Sequence, residues 1–150
     1  MSKTIISIDP GASGGIAVQS TEGTTTYKLT SSMTETCDII RQIAATNPSC
    51  VVIVEKVGGY MQGNSGPAAA TFARHCGHIE AAIYMAGIPI AWNPTPAMWM
   101  KKIGVPPKME KCARKRWIKE FAARRFPMID VTLWNADALA MLSAFSEFKI

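Results

Sequence analysis

The sequence is poor in the features that identify several large protein classes. It has only four cysteines, Cys37, Cys50, Cys76 and Cys112, widely spaced and with no C-x-x-C pair, which excludes a zinc knuckle and a disulfide scaffold and leaves reduced, mostly buried thiols as the expectation. It has two histidines. His75 and His78 of "RHCGH" fall near Cys76, but a fourth ligand for zinc is missing, so they are expected on a packed or dimer-facing helix with Phe72 and Ile79. No run approaches the roughly 18 apolar residues of a membrane span. Met1-Ser2-Lys3-Thr4 leads into a strand without the apolar region and cleavage site of a signal peptide. A soluble, cytoplasmic protein with no membrane partner is expected. There is no internal repeat and no low-complexity tail.

What is present is ordinary globular material: 150 residues, 48% hydrophobic and 18% charged, enough for a single domain over 1–150 with one real core. The formal charge is +5, and ten of the sixteen basic residues, Lys101, Lys102, Lys108, Lys111, Arg114, Lys115, Arg116, Lys119, Arg124 and Arg125, sit in one stretch that holds only Glu110 and Glu120 as acids. A field of that sign suits a polyphosphate partner such as DNA or RNA. In isolation such a run reads better as a solvated helix face; the carboxylates elsewhere shift the balance toward nucleic acid.

The apolar patterning gives an α/β order. Strands are expected over Lys3–Asp9, Gly14–Ser20 and Thr24–Leu29, an antiparallel meander turned by Glu22-Gly23. A helix over Glu35–Thr46, capped by Thr34 and stopped at Asn47-Pro48, leads to the almost wholly apolar strand Cys50–Glu55. A glycine-rich segment, Gly58–Gly66, precedes an Ala-rich helix from Pro67 to Ala86. Then come a strand over Ile88–Trp92, a short helix over Pro96–Ile103, a basic helix over Lys108–Arg125 and a last helix in "NADALAMLSAFSEF".

Three acids stand out in this pattern. In "SIDPGASGGIAV" Asp9 ends an apolar strand and a tight glycine turn brings the next strand back beside it, fixing the carboxylate at a strand end. Glu55 ends a second apolar strand, and Asp137 opens the last helix, whose apolar face would clamp it to the sheet. If the two strands are parallel neighbours, the three carboxylates converge. Converging carboxylates repel one another unless a cation lies between them, and hard oxygen ligands suit Mg²⁺ or Mn²⁺. Two such ions can activate a water and stabilise the leaving oxygen of a phosphodiester. Each acid also has an ordinary reading: Asp9-Pro-Gly as a turn, Glu55 as a plain loop residue, Asp137 as a helix N-terminal acid favoured by the macrodipole.

Taken together, "IDPGASGGIAV", "VVIVEKV" and "NADALAML", in that order and spacing, resemble the RuvC family of Holliday-junction resolvases within the ribonuclease H-like nucleases, and most of all its compact phage or bacterial members. The resemblance spans Ile5 to about Ala144. It implies a ribonuclease H-like fold with a central five-stranded mixed sheet flanked by helices, and metal-dependent nicking of paired strands of a four-way junction by a homodimer. Asp9, Glu55 and Asp137 match the family's metal-binding acids, implying Mg²⁺ or Mn²⁺, two ions per site. The family often has a further acidic or histidine ligand about three residues before the last aspartate; here that position is Trp134, and Asp130 lies farther back.

The remaining positions concern DNA. Lys101 and Lys111 fall about where such resolvases place basic residues near the scissile phosphate, Lys111 with a catalytic role, and Lys102, Lys108, Arg114 and Lys115 extend the phosphate-facing set. Tyr60 and Met61, in the segment after Glu55, are candidates to wedge between bases at a junction. The Ala-rich helix offers small residues for packing against its copy. A flap or fork nuclease of the same fold, and a non-catalytic branched-DNA-binding module, are the competing readings. A D-x-G loop also opens actin-like kinases, but 150 residues cannot supply their two lobes.

Overall fold

The computed structural model describes residues 3–57 and 66–146. Five strands form one sheet: β1 (Thr4–Asp9), β2 (Gly15–Ser20), β3 (Gly23–Lys28), β4 (Cys50–Val54) and β5 (Ile90–Trp92), in the order β3-β2-β1-β4-β5. β1, β2 and β3 are the expected antiparallel meander, while β4 runs parallel to β1 and β5 parallel to β4. The sheet is therefore mixed, with β1 and β4 at its centre, which is why those two strands are apolar at nearly every position.

Strand alternation sorts their side chains to two cores. Ile6, Ile8, Val52 and Val54 face helices α1 (Met33–Thr46) and α2 (Gly66–Met85), packing with Ile40, Ile43, Ile79 and Ile83. Ile5, Ala17 and Ile53 face the opposite layer of α3 (Pro96–Ile103), α4 (Lys111–Arg125) and α5 (Ala136–Ser146). α5 is buried at Ala136 and at every position from Ala138 to Ala144, because it lies between the sheet and α3 and α4. Its alanines let it approach the strands closely. Among the described residues no helix is long and apolar enough to cross a membrane.

Several boundaries differ from the sequence reading by a residue or two, β4 ending at Val54 and β5 beginning at Ile90 among them, and two of the differences have identifiable reasons. α1 starts two residues early, with Ser32 rather than Thr34 as its cap: the Ser32 hydroxyl accepts from the Glu35 N–H at 3.3 Å, an S-x-x-E start in which Glu35 turns instead to the Thr30 hydroxyl at 2.6 Å. α4 starts at Lys111, not Lys108, because the Glu110 carboxylate caps it, accepting from Cys112 N–H at 3.1 Å and Ala113 N–H at 3.3 Å. Lys108 lies in the preceding turn with φ of 59°. Tyr60 and Met61 lie outside the described residues.

Candidate active site

The register of the central strands brings the first two acids level. Ile8 pairs with Val54 across the parallel β1–β4 ladder, and the Glu55 N–H continues it by donating to the Ile8 carbonyl at 3.2 Å. Asp9 and Glu55 are the next residues of their strands, and alternation directs Asp9 to the face that Ile5 and Ser7 share with α5. The third acid is brought in by a polar anchor inside that core. Ser7, fully buried, donates from its hydroxyl to the Ala138 carbonyl at 2.8 Å. That bond ties the first turn of α5 to β1, two residues before Asp9 and one residue after Asp137.

The loop before α5 is held as firmly. Buried Asn135 accepts from the Thr132 N–H at 2.8 Å and donates to the Asp130 carbonyl at 3.0 Å, so Asp130 takes part through its backbone and its carboxylate is exposed. Trp134, which stands where a further metal ligand would be expected, packs on β2: a Cβ at Gly15 would lie 2.5 Å from its carbonyl oxygen and 2.9 Å from its ring. It roofs the sheet.

Asp9 and Asp137 line one small cleft of about 110 Å³ with Ser13, Gly14 and Lys115. Glu55 lines a neighbouring cleft of about 180 Å³ with Asn93, Cys76 and Glu80, and Pro10 borders both. Burial, then the charges of Asp137 and Glu55, push the Asp9 carboxyl well above the usual range, with Lys115 opposing. Burial likewise raises Asp137, offset by Lys115 and Arg114. Glu55 is pushed up to about 7 by burial, against the Trp99 hydrogen bond that favours its charged form. The Cys76 thiol is raised by burial and by Glu80 and Glu55, which makes it a poor nucleophile.

The donors are hard carboxylate oxygens that repel one another, the chemistry a divalent cation relieves. Among the described residues, however, no three Asp, Glu, His or Cys side chains already form a group able to hold an ion. Asp9 and Asp137 face each other, and Glu55 is engaged by Trp99 Nε1 at 2.6 Å. The set suits a cation by donor type and charge, with Glu55 one cleft away.

The basic residues divide. Lys115 and Arg114 are the cations felt by the acids. Lys111 is exposed one turn before Lys115, on the same side of α4 by its i, i+4 spacing. Lys101 is exposed in the last turn of α3, and Lys102 lies half-buried there with its Nζ 5.8 Å from the centroid of Trp92. His75 is structural: its Nδ1 accepts from the Gly11 N–H at 3.2 Å, so Nε2 carries the proton toward the Thr30 carbonyl at 2.8 Å. Both ring nitrogens are used, and the bond holds the loop after Asp9 at Gly11, whose φ of 122° only glycine adopts readily.

Sequence reasoning does not reach Ser7, His75 or Trp99 as parts of the site. Ser7 carries a signal, a lone polar residue inside "IISID"; the other two are recognisable only from their partners.

No family-level sequence profile matches the chain, and no curated protein sequence does. Solved structures match over nearly the full length. Thermus thermophilus RuvC superposes with a TM-score of 0.65 at 16% identity, covering 96% of this chain and 95% of that one. T. thermophilus RuvC in complex with Holliday junction substrate gives 0.69 at 13% identity, covering 99% and 97%. At such identities the likeness lies in the fold: the chain has the RuvC-like, ribonuclease H-like architecture that its three motifs imply.

Proposed function

We propose that this chain is a metal-dependent, structure-selective DNA endonuclease that resolves four-way junctions by paired nicking. The observation that carries the reading is Asp9 and Asp137 sharing one cleft under the positive charges of Lys115 and Arg114, with Glu55 in the adjoining cleft at the level end of the parallel neighbouring strand. Asp9 and Asp137, completed by Glu55, would hold Mg²⁺ or Mn²⁺, one or two ions, which when bound supply Lewis-acid and templating chemistry for phosphodiester hydrolysis. The chain's own part is electrostatic and positional. β1 and β4 fix two carboxylates on rigid strand ends, and the Ser7 anchor fixes the third. Lys115 and Arg114 attract the phosphate that the acids alone would repel, and they remain to offset charge that develops on it. Lys111 and Lys101 extend that field toward flanking phosphates.

Paired nicking requires two sites, and α2 supports a homodimer. Ala70, Ala73, Gly77, Ala81 and Tyr84 are exposed along one stripe of the helix, and a Cβ at Gly77 would meet nothing within 4 Å. Such a surface permits close approach of a second α2 across a two-fold axis. The T. thermophilus protein of the same fold is seen with Holliday junction substrate, which makes the four-way junction the first substrate to offer.

The deciding experiment incubates the chain with a four-way junction, a flap, a fork and plain duplex, with Mg²⁺ or Mn²⁺, alongside Asp9→Asn. Symmetric nicks in the junction that vanish in the variant are expected. Cleavage confined to flaps or forks would move the substrate within the fold. A second reading, a non-catalytic branched-DNA-binding module, is favoured by the lack of a ready-made three-residue ligand group among the described residues; it predicts junction binding without cleavage in either metal.

A further inference from the structure

The segment Asn93-Pro94-Thr95-Pro96-Ala97-Met98-Trp99 connects β5 to α3 and grips the end of β4 at three successive residues. Asn93 Nδ2 donates to the Val54 carbonyl at 2.7 Å. The Lys56 N–H donates to the Pro94 carbonyl at 2.7 Å. Between them, Trp99 Nε1–H donates to Glu55 Oε2 at 2.6 Å, a short, charge-assisted bond. Trp99 itself cannot drift: it is fully buried, and its own N–H donates to the Thr95 carbonyl at 3.3 Å in the first turn of α3. Thr95 caps that helix, and Pro96 occupies its first position. A buried indole needs a partner for its N–H, but any backbone carbonyl would satisfy it. Here the partner is the second acid of the site.

We infer that Trp99 is a positioning residue: its indole N–H fixes one carboxylate oxygen of Glu55 and leaves the other to complete the cation site with Asp9 and Asp137. The inference rests on the proposed metal-dependent reading and adds to it a residue outside the carboxylate set. One oxygen of Glu55 is committed to the protein, so from the cleft beside that of Asp9 and Asp137 its other oxygen would reach an ion from a preset direction instead of searching rotamers, which lowers the ordering cost of ion binding. The Asn93 side-chain bond to Val54 and the Lys56 backbone bond to Pro94, on either side of Glu55, keep the strand end from sliding away from that direction.

The test uses the full chain and Mg²⁺ alone as probe. In isotope-labelled protein the four tryptophans give four indole N–H resonances, and the one belonging to Trp99 is identified by its shift in Glu55→Gln. In the parent, Mg²⁺ titration is expected to move the Trp99 resonance in step with binding measured by calorimetry. Trp99→Phe keeps the aromatic bulk and removes the donor; Mg²⁺ affinity should fall roughly tenfold to a hundredfold, with the affinity for junction DNA in the absence of metal unchanged. If Trp99→Phe does not fold, as judged by its thermal transition, Asn93→Ala in the β5–α3 connection serves instead and should weaken Mg²⁺ binding in the same direction. A parent that binds Mg²⁺ without moving the Trp99 resonance, or a folded Trp99→Phe with parental Mg²⁺ affinity, overturns the positioning role while leaving the metal site intact. A parent that binds neither Mg²⁺ nor Mn²⁺ overturns the metal-dependent reading and the positioning role with it.

Discussion

Gly15 of β2 and Trp134, the second residue before α5, meet so closely that a Cβ on the glycine would stand 2.5 Å from the tryptophan carbonyl. The contact seats the loop that launches α5 directly on the sheet, and so sets the height of Asp137 above Asp9. Gly15→Ala should therefore lower stability by roughly 1–3 kcal/mol, the usual cost of overpacking, and reduce cleavage more than it reduces DNA binding. Thermal denaturation and the junction assay, run side by side, check both parts.

Asp9→Asn, Glu55→Gln and Asp137→Asn should each reduce junction cleavage by more than the roughly hundredfold that loss of a supporting partner of a metal ligand can cost. Binding to branched DNA should persist, because each change removes negative charge and adds no repulsion to phosphates. Full activity in any one variant would take that residue out of the site.

The acids make a pH signature. Glu55 titrates near 7 in the folded chain against 4.5 ordinarily, and Asp9 and Asp137 are raised as well. The folded state thus holds protons that the unfolded state releases, so metal-free stability should fall as pH rises from about 4.5 to about 7 and level off above, Glu55 contributing up to about 3 kcal/mol of the fall. Chemical denaturation across that range should show this slope, flattened in Glu55→Gln. Mg²⁺ should stabilise more at pH 8 than at pH 5, since it competes with those protons.

Neutralising Lys111, Arg114, Lys115 and Lys101 to glutamine should weaken junction binding and reduce its logarithmic salt dependence by roughly one for each phosphate that is no longer neutralised. The protein should stay folded, and selectivity for branched over linear DNA should survive, because these charges do not encode junction geometry. Affinity and salt slope equal to the parent's would place the stretch away from DNA.

Gly77→Glu or Ala81→Arg on the exposed stripe of α2 should convert a dimer to a monomer at micromolar concentration, as read by light scattering, and replace paired nicks with single ones. A parent that is monomeric with and without junction DNA would remove the basis for paired cleavage.

Local chemistry made much of this molecule legible from its residues alone. The unbroken apolarity of Val51–Val54, and of Ile5–Ile8 but for Ser7, identified strands covered on both faces. The placement of Asp9, Glu55 and Asp137 at the ends of apolar segments singled them out, because a charge beside a core is costly without a purpose. Helix starts were less legible: Ser32 and Thr34 are both competent caps, and which one serves depends on where Thr30 and Glu35 find each other. What the tertiary structure alone decided is long-range pairing. That Ser7 would bond Ala138, that His75 would hold Gly11, that Trp134 would roof Gly15 and that Trp99 would take hold of Glu55 are matters of distance between residues far apart in the chain. Hydrophobic periodicity reports which face a side chain turns to the core but carries no record of which polar group waits there.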